Sequence, residues 1–234
     1  MKAAWYTKTG KASDVLKLGQ LENPELSAGE VLVELKASGI NPSDVKTRAG
    51  ARGDLQFPRV IPHSDGSGQI VDVGKGVDKS RIGERVWLWN AAFGRANGTC
   101  AELISIPESQ AVKINNDVSY ESAACMGIPA STAYYGVLAN GSVENKTVLI
   151  SGGAGAVGFY GIQLAKLSGA KVITTVSSDE KAQVADDAGA DKIINYKNEN
   201  VIEEVMKYTD NGGVDRIVEV EFGGNLAINK EIIK

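Results

Sequence analysis

Residues 148–158, Val-Leu-Ile-Ser-Gly-Gly-Ala-Gly-Ala-Val-Gly, form the stretch that decides the fold of this chain. A short apolar strand ends in a turn that satisfies the pattern G-x-G-x-x-G, and an apolar helical pattern follows at once. The glycines permit a tight turn, a close approach of the backbone to a pyrophosphate, and close packing of helix and strand. The N–H groups at the start of the helix favour phosphate. The motif predicts dinucleotide binding by the backbone of Gly152, Gly153, Ala154, Gly155, Ala156, Val157 and Gly158.

Strands and helices alternate regularly after residue 146. The predicted strands are Thr147–Ser151, Lys171–Val176, Lys192–Tyr196 and Val214–Val220, and the predicted helices are Ala156–Leu167, Asp179–Ala188, Val201–Tyr208 and Leu226–Lys234. Ser178 is typical of a helix N-cap, and Gly169 and Gly189 are typical of helix C-termini. Repeated β–α units predict a doubly wound α/β fold, with a parallel sheet and helices on both faces.

The front part of the chain is β-rich. Its predicted strands, separated by Gly, Pro, Asn and Asp, are Lys2–Tyr6, Glu30–Ala37, Gly68–Val73 and Arg85–Trp89. From about Tyr120 the pattern becomes helical, with a candidate helix at Glu121–Ala139 that Pro129 interrupts. The change in pattern predicts two domains, residues 1–121 and residues 122–234.

Composition excludes several classes of function. The 234 residues are 43% hydrophobic and 23% charged, which is typical of globular domains. A net charge of -4 argues against nucleic-acid binding and against anionic membranes, which both need basic surface. No apolar run is long enough for a membrane span or a signal peptide, and two cysteines make neither a disulfide framework nor a four-cysteine zinc site. The expected location is therefore the cytoplasm.

Several motifs, in the right order, resemble those of medium-chain dehydrogenase/reductases. They are Gly39-Ile40-Asn41-Pro42-Ser43-Asp44, Gly66-Ser67-Gly68, Thr132-Ala133-Tyr134 and the glycine turn. Within that superfamily the chain most resembles the zinc-independent quinone oxidoreductase, or zeta-crystallin-like, branch. The resemblance implies a GroES-like catalytic domain followed by a Rossmann cofactor domain, with the active site in the cleft between them.

The resemblance also implies that no zinc is bound. Zinc-dependent members carry a cysteine where this chain has Asn41, a His-Glu pair where it has Ser64-Asp65, and a third ligand near Ile128. His63, the only histidine, lies one position from the ligand position. It is a possible catalyst, but a loop or core histidine after Pro62 is the favoured interpretation.

The expected cofactor is NADPH. An NAD-preferring site has an acidic residue at the end of the second strand, whereas this chain has Val176-Ser177-Ser178 there. The resemblance assigns Ser177, Lys181 and Tyr196 to the 2′-phosphate end and Asn225 to the nicotinamide half. Asp179 is the counter-argument, because a carboxylate on a ribose hydroxyl would favour NADH; Lys181 is alternatively a solvated helix lysine.

The resemblance implies that the candidate catalytic residues Asn41 and Asp44 lie near the substrate cleft, with Thr132 across from them and facing the nicotinamide half. Asn41 has two interpretations of equal weight, a hydrogen-bond donor to a carbonyl oxygen or a turn residue before proline. The family often has a tyrosine where this chain has Arg52, which suits an anionic substrate. Without a metal or a tuned base, hydride transfer to an already electrophilic carbon is the least demanding chemistry. The leading hypothesis is NADPH-dependent reduction of quinones; the alternatives are an enoyl or alkenal reductase and a non-catalytic nucleotide-binding protein.

Members of this family are longer than this chain. A six-stranded Rossmann sheet ordered 3-2-1-4-5-6 needs two strands after Val214–Val220, so the resemblance implies that the C-terminal part is missing and the Rossmann sheet truncated. Strand 4 then becomes an exposed edge. A homodimer is possible, although the sixth strand, which usually makes the dimer in the family, is absent.

Overall fold

The structure, a computed structural model, describes every residue from Met1 to Lys234. The chain divides into two compact units, Met1–Ile128 and Pro129–Lys234. A boundary after residue 121 would instead cut a helix that spans Tyr120–Ala124. None of the helices is both long enough and apolar enough to cross a membrane.

The first unit is built on antiparallel strands. Its strands are β1 (Lys2–Trp5), β2 (Lys17–Gln20), β3 (Glu30–Gly39), β4 (Asp65–Val73), β5 (Arg85–Leu88), β6 (Leu103–Pro107) and β7 (Ala111–Lys113), and its helices are α1 (Ala12–Val15), α2 (Pro42–Ala49) and α3 (Tyr120–Ala124). Strands β1 and β2 pair with each other, and the other five form a sheet in the order β6-β3-β4-β5-β7. Buried aliphatic side chains that alternate along these strands, such as Val31 and Val33, form its core.

The predicted helix at residues 121–139 is three shorter pieces. Helix α3 is followed by a π-helical turn at Met126–Ala130, which contains Pro129, and then by α4 (Ser131–Leu138). Proline has no N–H group to donate, so the break at this place follows from the sequence.

The second unit is a four-stranded parallel sheet. Its strands are β8 (Thr147–Ile150), β9 (Lys171–Val176), β10 (Lys192–Asn195) and β11 (Arg216–Val218), and its remaining helices are α5 (Ala156–Leu167), α6 (Asp179–Asp187), α7 (Val201–Tyr208) and α8 (Phe222–Ile232). The sheet order is β10-β9-β8-β11, which is the predicted order 3-2-1-4. The chain crosses to the other side of β8 between β10 and β11, and such a reversal leaves a crevice at the carboxyl ends of the strands.

Helices cover both faces of this sheet, as predicted. Val148 and Ile150 pack with side chains of α5 and α6 on one face, and Leu149 packs with those of α7 and α8 on the other. Strand β11 is an edge strand, and near it Val214 forms a parallel bridge with Ile233.

In the second unit, the largest differences between predicted and observed ends are those of β11 and α8. Strand β11 covers three residues instead of Val214–Val220, because the chain turns at Glu219, whose carboxylate binds the following backbone amides. Helix α8 begins at Phe222 rather than at Leu226. The predictions for α5, β9 and α7 are confirmed at both ends.

Candidate functional site

The glycine turn after β8 is shaped by close contacts that leave no room for side chains. Gly152 has a φ of 68°, in the left-handed region that favours glycine. A Cβ on Gly153 would collide with the Thr174 side chain, and one on Gly158 would collide with the backbone of Gly152 and Gly153. Helix α5 therefore packs directly on the turn.

The start of α5 is free to bind an anion. Gly155 is its N-cap residue and has no side chain with which to cap the helix. The amide groups of Ala156, Val157 and Gly158 are the first three of the helix, and such groups have no partner within the helix. The amides of Gly153 and Gly155, in contrast, donate to Thr175 O and Gly152 O, so they hold the turn in shape. This backbone cradle, with Ala154 at its centre, has the geometry and polarity that suit a pyrophosphate.

Polar groups gather at the carboxyl ends of β9 and β10. Lys181 Nζ donates to Ser177 Oγ over 2.8 Å, and Ser178 caps α6 by accepting from Lys181 N, as predicted. Tyr196 follows β10, and its amide donates to Val176 O at the end of β9. Lys197 places its ammonium 5.4 Å from the Tyr196 ring centre. Sequence reasoning missed Lys197, although it directly follows a predicted site residue.

A cavity of about 500 Å³ lies at this edge of the second unit. The ends of all four parallel strands contribute to it, through residues that include Ser151, Thr175, Tyr196 and Glu219. Because it also includes Gly152, the cavity is continuous with the glycine turn. Its size and position are those of a small-molecule site at the switch point of a doubly wound sheet.

Glu219 is the polar centre of that cavity, and sequence reasoning missed it. Its carboxylate accepts from Ser151 Oγ at 2.8 Å, Asn229 Nδ2 at 3.0 Å and Asn225 Nδ2 at 3.1 Å, and also from the amides of Val220 and Glu221. Burial acts to raise the pKa of Glu219, but these hydrogen bonds outweigh it and the pKa is lowered. Glu219 is therefore a fixed anion that orients the amide of Asn225.

In the first unit, three positions expected to match a zinc site lie together. The buried carboxylate of Asp65 accepts from Asn41 Nδ2 at 2.7 Å, and its two oxygens lie 2.9 and 3.0 Å from Ile128 N. Burial raises the pKa of Asp65, against the opposing effect of Asn41 and Ile128. The groups around this carboxylate are N–H donors, not the lone pairs that a metal ion requires.

Asp44 lies beside this network on helix α2. Asn41 is the N-cap residue of α2, and Asn41 N donates to Asp44 Oδ2 over 2.8 Å. Burial raises the pKa of Asp44, although Asn41, His63 and Arg52 favour its ionised form. Burial lowers the pKa of His63, and Asp44 acts in the opposite direction.

The predicted catalytic residues thus fall in two places. Asn41 and Asp44 lie together in the first unit, where Asn41 is 6% exposed. Thr132 is an exposed residue in the first turn of α4, in the second unit. Sequence reasoning missed the polar chain His63–Ser38–Thr99, whose members are far apart in the sequence and meet only in the folded chain.

Comparisons with known proteins identify the family. Residues 27–116 match the alcohol dehydrogenase GroES-like domain, and residues 156–225 match the family described as zinc-binding dehydrogenase. The quinone oxidoreductase of Homo sapiens is 28% identical, with 92% of this chain and 64% of that protein aligned. The alcohol dehydrogenase of Geobacillus stearothermophilus is 30% identical over 93% of this chain and 70% of that protein.

Solved structures agree with this assignment. The Escherichia coli quinone oxidoreductase complexed with NADPH has a TM-score of 0.85 and 27% identity, and the match covers all of this chain and 70% of that one. A 2-haloacrylate reductase has a TM-score of 0.80 and 25% identity, with the same coverage. The chain belongs to the medium-chain dehydrogenase/reductase superfamily, and it spans less than two thirds of the length of the human relative.

Proposed function

We propose that this chain is part of an NADPH-dependent oxidoreductase that reduces quinones by hydride transfer. The observation that carries the proposal is that the uncapped start of α5 and the Ser177–Lys181 pair follow the carboxyl ends of the neighbouring parallel strands β8 and β9. The first binds a pyrophosphate through backbone amides, and the second offers an ammonium and a hydroxyl to a further phosphate. Relatives described as quinone oxidoreductases support the choice of substrate.

The cofactor residues have distinct roles in this proposal. The backbone of residues 152–158 holds the pyrophosphate, and Ser177, Lys181 and Tyr196 hold the 2′-phosphate. Because Asn225 Nδ2 donates to Glu219, the amide oxygen of Asn225 is left to accept a hydrogen bond from the nicotinamide half. Asp179 lies in the first turn of α6, where a carboxylate stabilises the positive helix end without needing a ribose partner.

At the substrate end of the proposed site, side chains position the substrate and no metal ion takes part. When bound, the reduced nicotinamide supplies the hydride. Asn41 orders the start of α2 and the Asp65 carboxylate. In this proposal Asp44 contributes its carboxyl group to the reaction, and Thr132 contributes its hydroxyl group. Because Asp65 is surrounded by N–H groups, we infer that reduction proceeds without zinc. A quinone suits such a site, since its carbon atoms are already electrophilic.

Reduction of α,β-unsaturated carbonyl compounds is the second candidate. Arg52 is exposed, and its positive charge acts to lower the pKa of Asp44. A guanidinium therefore lies near the proposed substrate end. A guanidinium binds a carboxylate in a bidentate manner, which favours an unsaturated acid as substrate. The similarity to a 2-haloacrylate reductase supports this alternative.

The test combines cofactor affinity with a substrate panel. Lys181→Ala should weaken NADPH binding by about 10- to 100-fold and leave NADH binding unchanged, because one charge-assisted hydrogen bond is lost. Lys171→Ala, an exposed lysine at the other end of β9, is the matched control and should change neither affinity. Binding is measured by calorimetry with each nucleotide.

Turnover is then followed as NADPH oxidation with benzoquinone, phenanthrenequinone, an enone or an unsaturated acid, and as NADP⁺ reduction with an alcohol, each with and without EDTA. Quinone turnover that survives EDTA supports the proposal. Preference for the enone or the acid supports the second candidate, and binding without turnover indicates a nucleotide-binding protein. An EDTA-sensitive alcohol oxidation would overturn the argument about zinc.

A further inference from the structure

His63 has a strained backbone that its surroundings impose. Its φ is 79°, in the left-handed region where a non-glycine residue is uncommon. The neighbouring segment holds it in place: Thr99 N donates to His63 O at 3.0 Å, and Cys100 N donates to Pro62 O at 3.1 Å. Strain that is retained by such clamping is concentrated at functional positions.

The hydrogen bonds around the ring determine which nitrogen carries the proton. Thr99 Oγ1 lies 2.5 Å from the Asp65 carbonyl oxygen, which can only accept, so Thr99 donates its single hydroxyl proton there. At the 2.8 Å contact between Ser38 and Thr99, Ser38 must then donate. The proton of Ser38 is thereby used, so at the 2.9 Å contact between Ser38 Oγ and His63 Nδ1 the imidazole donates. Neutral His63 is therefore the Nδ1–H tautomer.

This tautomer leaves Nε2 as the atom that gains and loses a proton. None of the hydrogen bonds of the structure involves Nε2. Among the charged groups, the carboxylate of Asp44 on α2 acts to raise the pKa of His63, and the guanidinium of Arg52 acts to lower the pKa of Asp44. Asp65 on β4 is occupied by Asn41 and Ile128, and burial raises the pKa of Tyr6 and of Cys100, which keeps both neutral near pH 7.

We propose that His63 is the proton donor of the reduction, with Nε2–H as the acid and Asp44 stabilising the imidazolium. This inference rests on the proposed function. As hydride forms the new C–H bond, the π electron pair moves onto the carbonyl or quinone oxygen. The Nε2–H bond breaks and its proton bonds to that oxygen. His63 is left neutral, held by Ser38 through Nδ1–H, and regains a proton from solvent.

The positive φ of His63 determines which replacements are suitable at this position. His63→Asn removes the titrating ring and tolerates a positive φ, and His63→Gly relieves the strain, so both should fold. Ser38→Ala removes the acceptor of Nδ1–H, and Asp44→Asn removes the charge while keeping an acceptor for Asn41 N.

The first readout does not depend on turnover. Because His63 is the only histidine, NMR of ¹⁵N-histidine-labelled protein without a tag reports this residue alone. We expect the Nδ1–H tautomer in the neutral wild type, its loss in Ser38→Ala, and a further fall of the His63 pKa in Asp44→Asn. An Nε2–H tautomer in the wild type, or a pKa unchanged by Asp44→Asn, would overturn the inference.

The second readout is the pH profile of kcat/KM with NADPH and the best substrate of the panel. The wild-type value should fall as pH rises through the His63 pKa found by NMR, because the acid form is lost. His63→Asn should lack this limb and be about 100-fold slower at low pH. Equal profiles for the two proteins would refute the role of His63 alone, whereas a wild type that binds no NADPH would refute the proposed function and this inference with it.

Discussion

Asp65 shows how a single buried carboxylate can join separate segments of the chain. The carboxylate is 1% exposed and holds Asn41 from one segment of the chain and the Ile128 amide from another. A buried carboxylate is costly unless donors surround it, and here they do. Asp65 therefore stabilises the arrangement that presents Asp44 and His63.

Replacing Asp65 tests this role. Asp65→Ala leaves Asn41 Nδ2 and Ile128 N buried without an acceptor, so the free energy of unfolding should fall by about 3 kcal/mol. Asp65→Asn keeps one acceptor oxygen and should cost less. The measurement is urea denaturation followed by tryptophan fluorescence, because all three tryptophans, Trp5, Trp87 and Trp89, belong to the first unit.

The control for that series is Asp72→Asn. Asp72 is exposed on β4 and binds only the neighbouring Val73 amide, so its replacement should change the stability by less than about 0.5 kcal/mol. Equal stability of Asp65→Ala and the wild type would show that the network contributes nothing to the fold.

At the scale of elements, the second unit was more predictable than the first. Helix α5 follows a glycine turn, and strand β9 has a run of β-branched residues at 172–176; both signals are strong, and the ends of both elements match the prediction. Strand β2 contains a glycine and β7 has three residues, so neither shows a clear alternation of apolar and polar side chains. Strand β6 has the signal, since buried Ile104 and Ile106 alternate with Ser105, but it is short.

Helix α2 begins at a signal that sequence reasoning did not connect with a helix. Asn41 has two interpretations of equal weight, a hydrogen-bond donor to a carbonyl oxygen and a turn residue before proline, whereas asparagine at the N-cap and proline at the first helical position also begin a helix. The His63–Ser38–Thr99 chain could not be predicted at all, because its contacts join residues 25 and 61 positions apart. Local patterns predict elements, and long-range pairing determines which side chains meet.

The packing of α5 on the glycine turn gives a prediction at this scale. A Cβ at position 158 would lie 2.9 Å from Gly153 Cα and closer still to Gly152, so Gly158→Ala must push the helix away from the turn. We expect a loss of about 1–3 kcal/mol in the free energy of unfolding and a loss of NADPH binding at concentrations that saturate the wild type. Thermal unfolding and calorimetry measure the two effects.

Gly223→Ala provides the matched control. This glycine lies in α8 of the same unit, and a Cβ there would meet nothing within 4 Å. Alanine favours helix over glycine, so this variant should be equally or slightly more stable and bind NADPH normally. If Gly158→Ala behaved in the same way, the close approach of helix and turn would not be needed for binding.

For the whole molecule, Asp44 and Asp65 in the first unit contrast with Asp215 and Glu219 in the second. In the first unit burial raises the pKa of Asp44 and of Asp65. In the second unit, burial opposes the hydrogen bonds of Asp215 and of Glu219, but for both groups the pKa is lowered. Asp215 accepts from Thr147 N and Lys234 Nζ, and Glu219 accepts from side chains of Ser151, Asn225 and Asn229.

These shifts have opposite consequences for stability in acid. A carboxylate whose folded-state pKa is lowered stabilises the fold above its unfolded pKa, and that contribution is lost as pH falls. This applies to Asp215 and Glu219 below their ordinary values of 3.8 and 4.5. Asp44 and Asp65 are protonated at a higher pH in the folded state than in the unfolded state. Their contribution to the free energy of unfolding therefore increases as pH falls towards 3.8. The lowered pKa of His63 has the opposite effect and reduces the stability of the folded state as pH falls below 6.5. His63 is one group, however, against the two carboxyl groups of Asp44 and Asp65.

We therefore expect the second unit to unfold in acid before the first. Ellipticity at 222 nm reports mainly the second unit, which contains α4 to α8, and tryptophan fluorescence reports the first. In an acid titration the ellipticity midpoint should lie at the higher pH, and coincident or reversed midpoints would contradict the argument. Glu219→Gln tests the cause: its stability deficit relative to the wild type should shrink as pH falls below 4.5, because the wild-type carboxylate then becomes neutral as well. A deficit that stays constant with pH would assign the role of Glu219 to its shape rather than its charge.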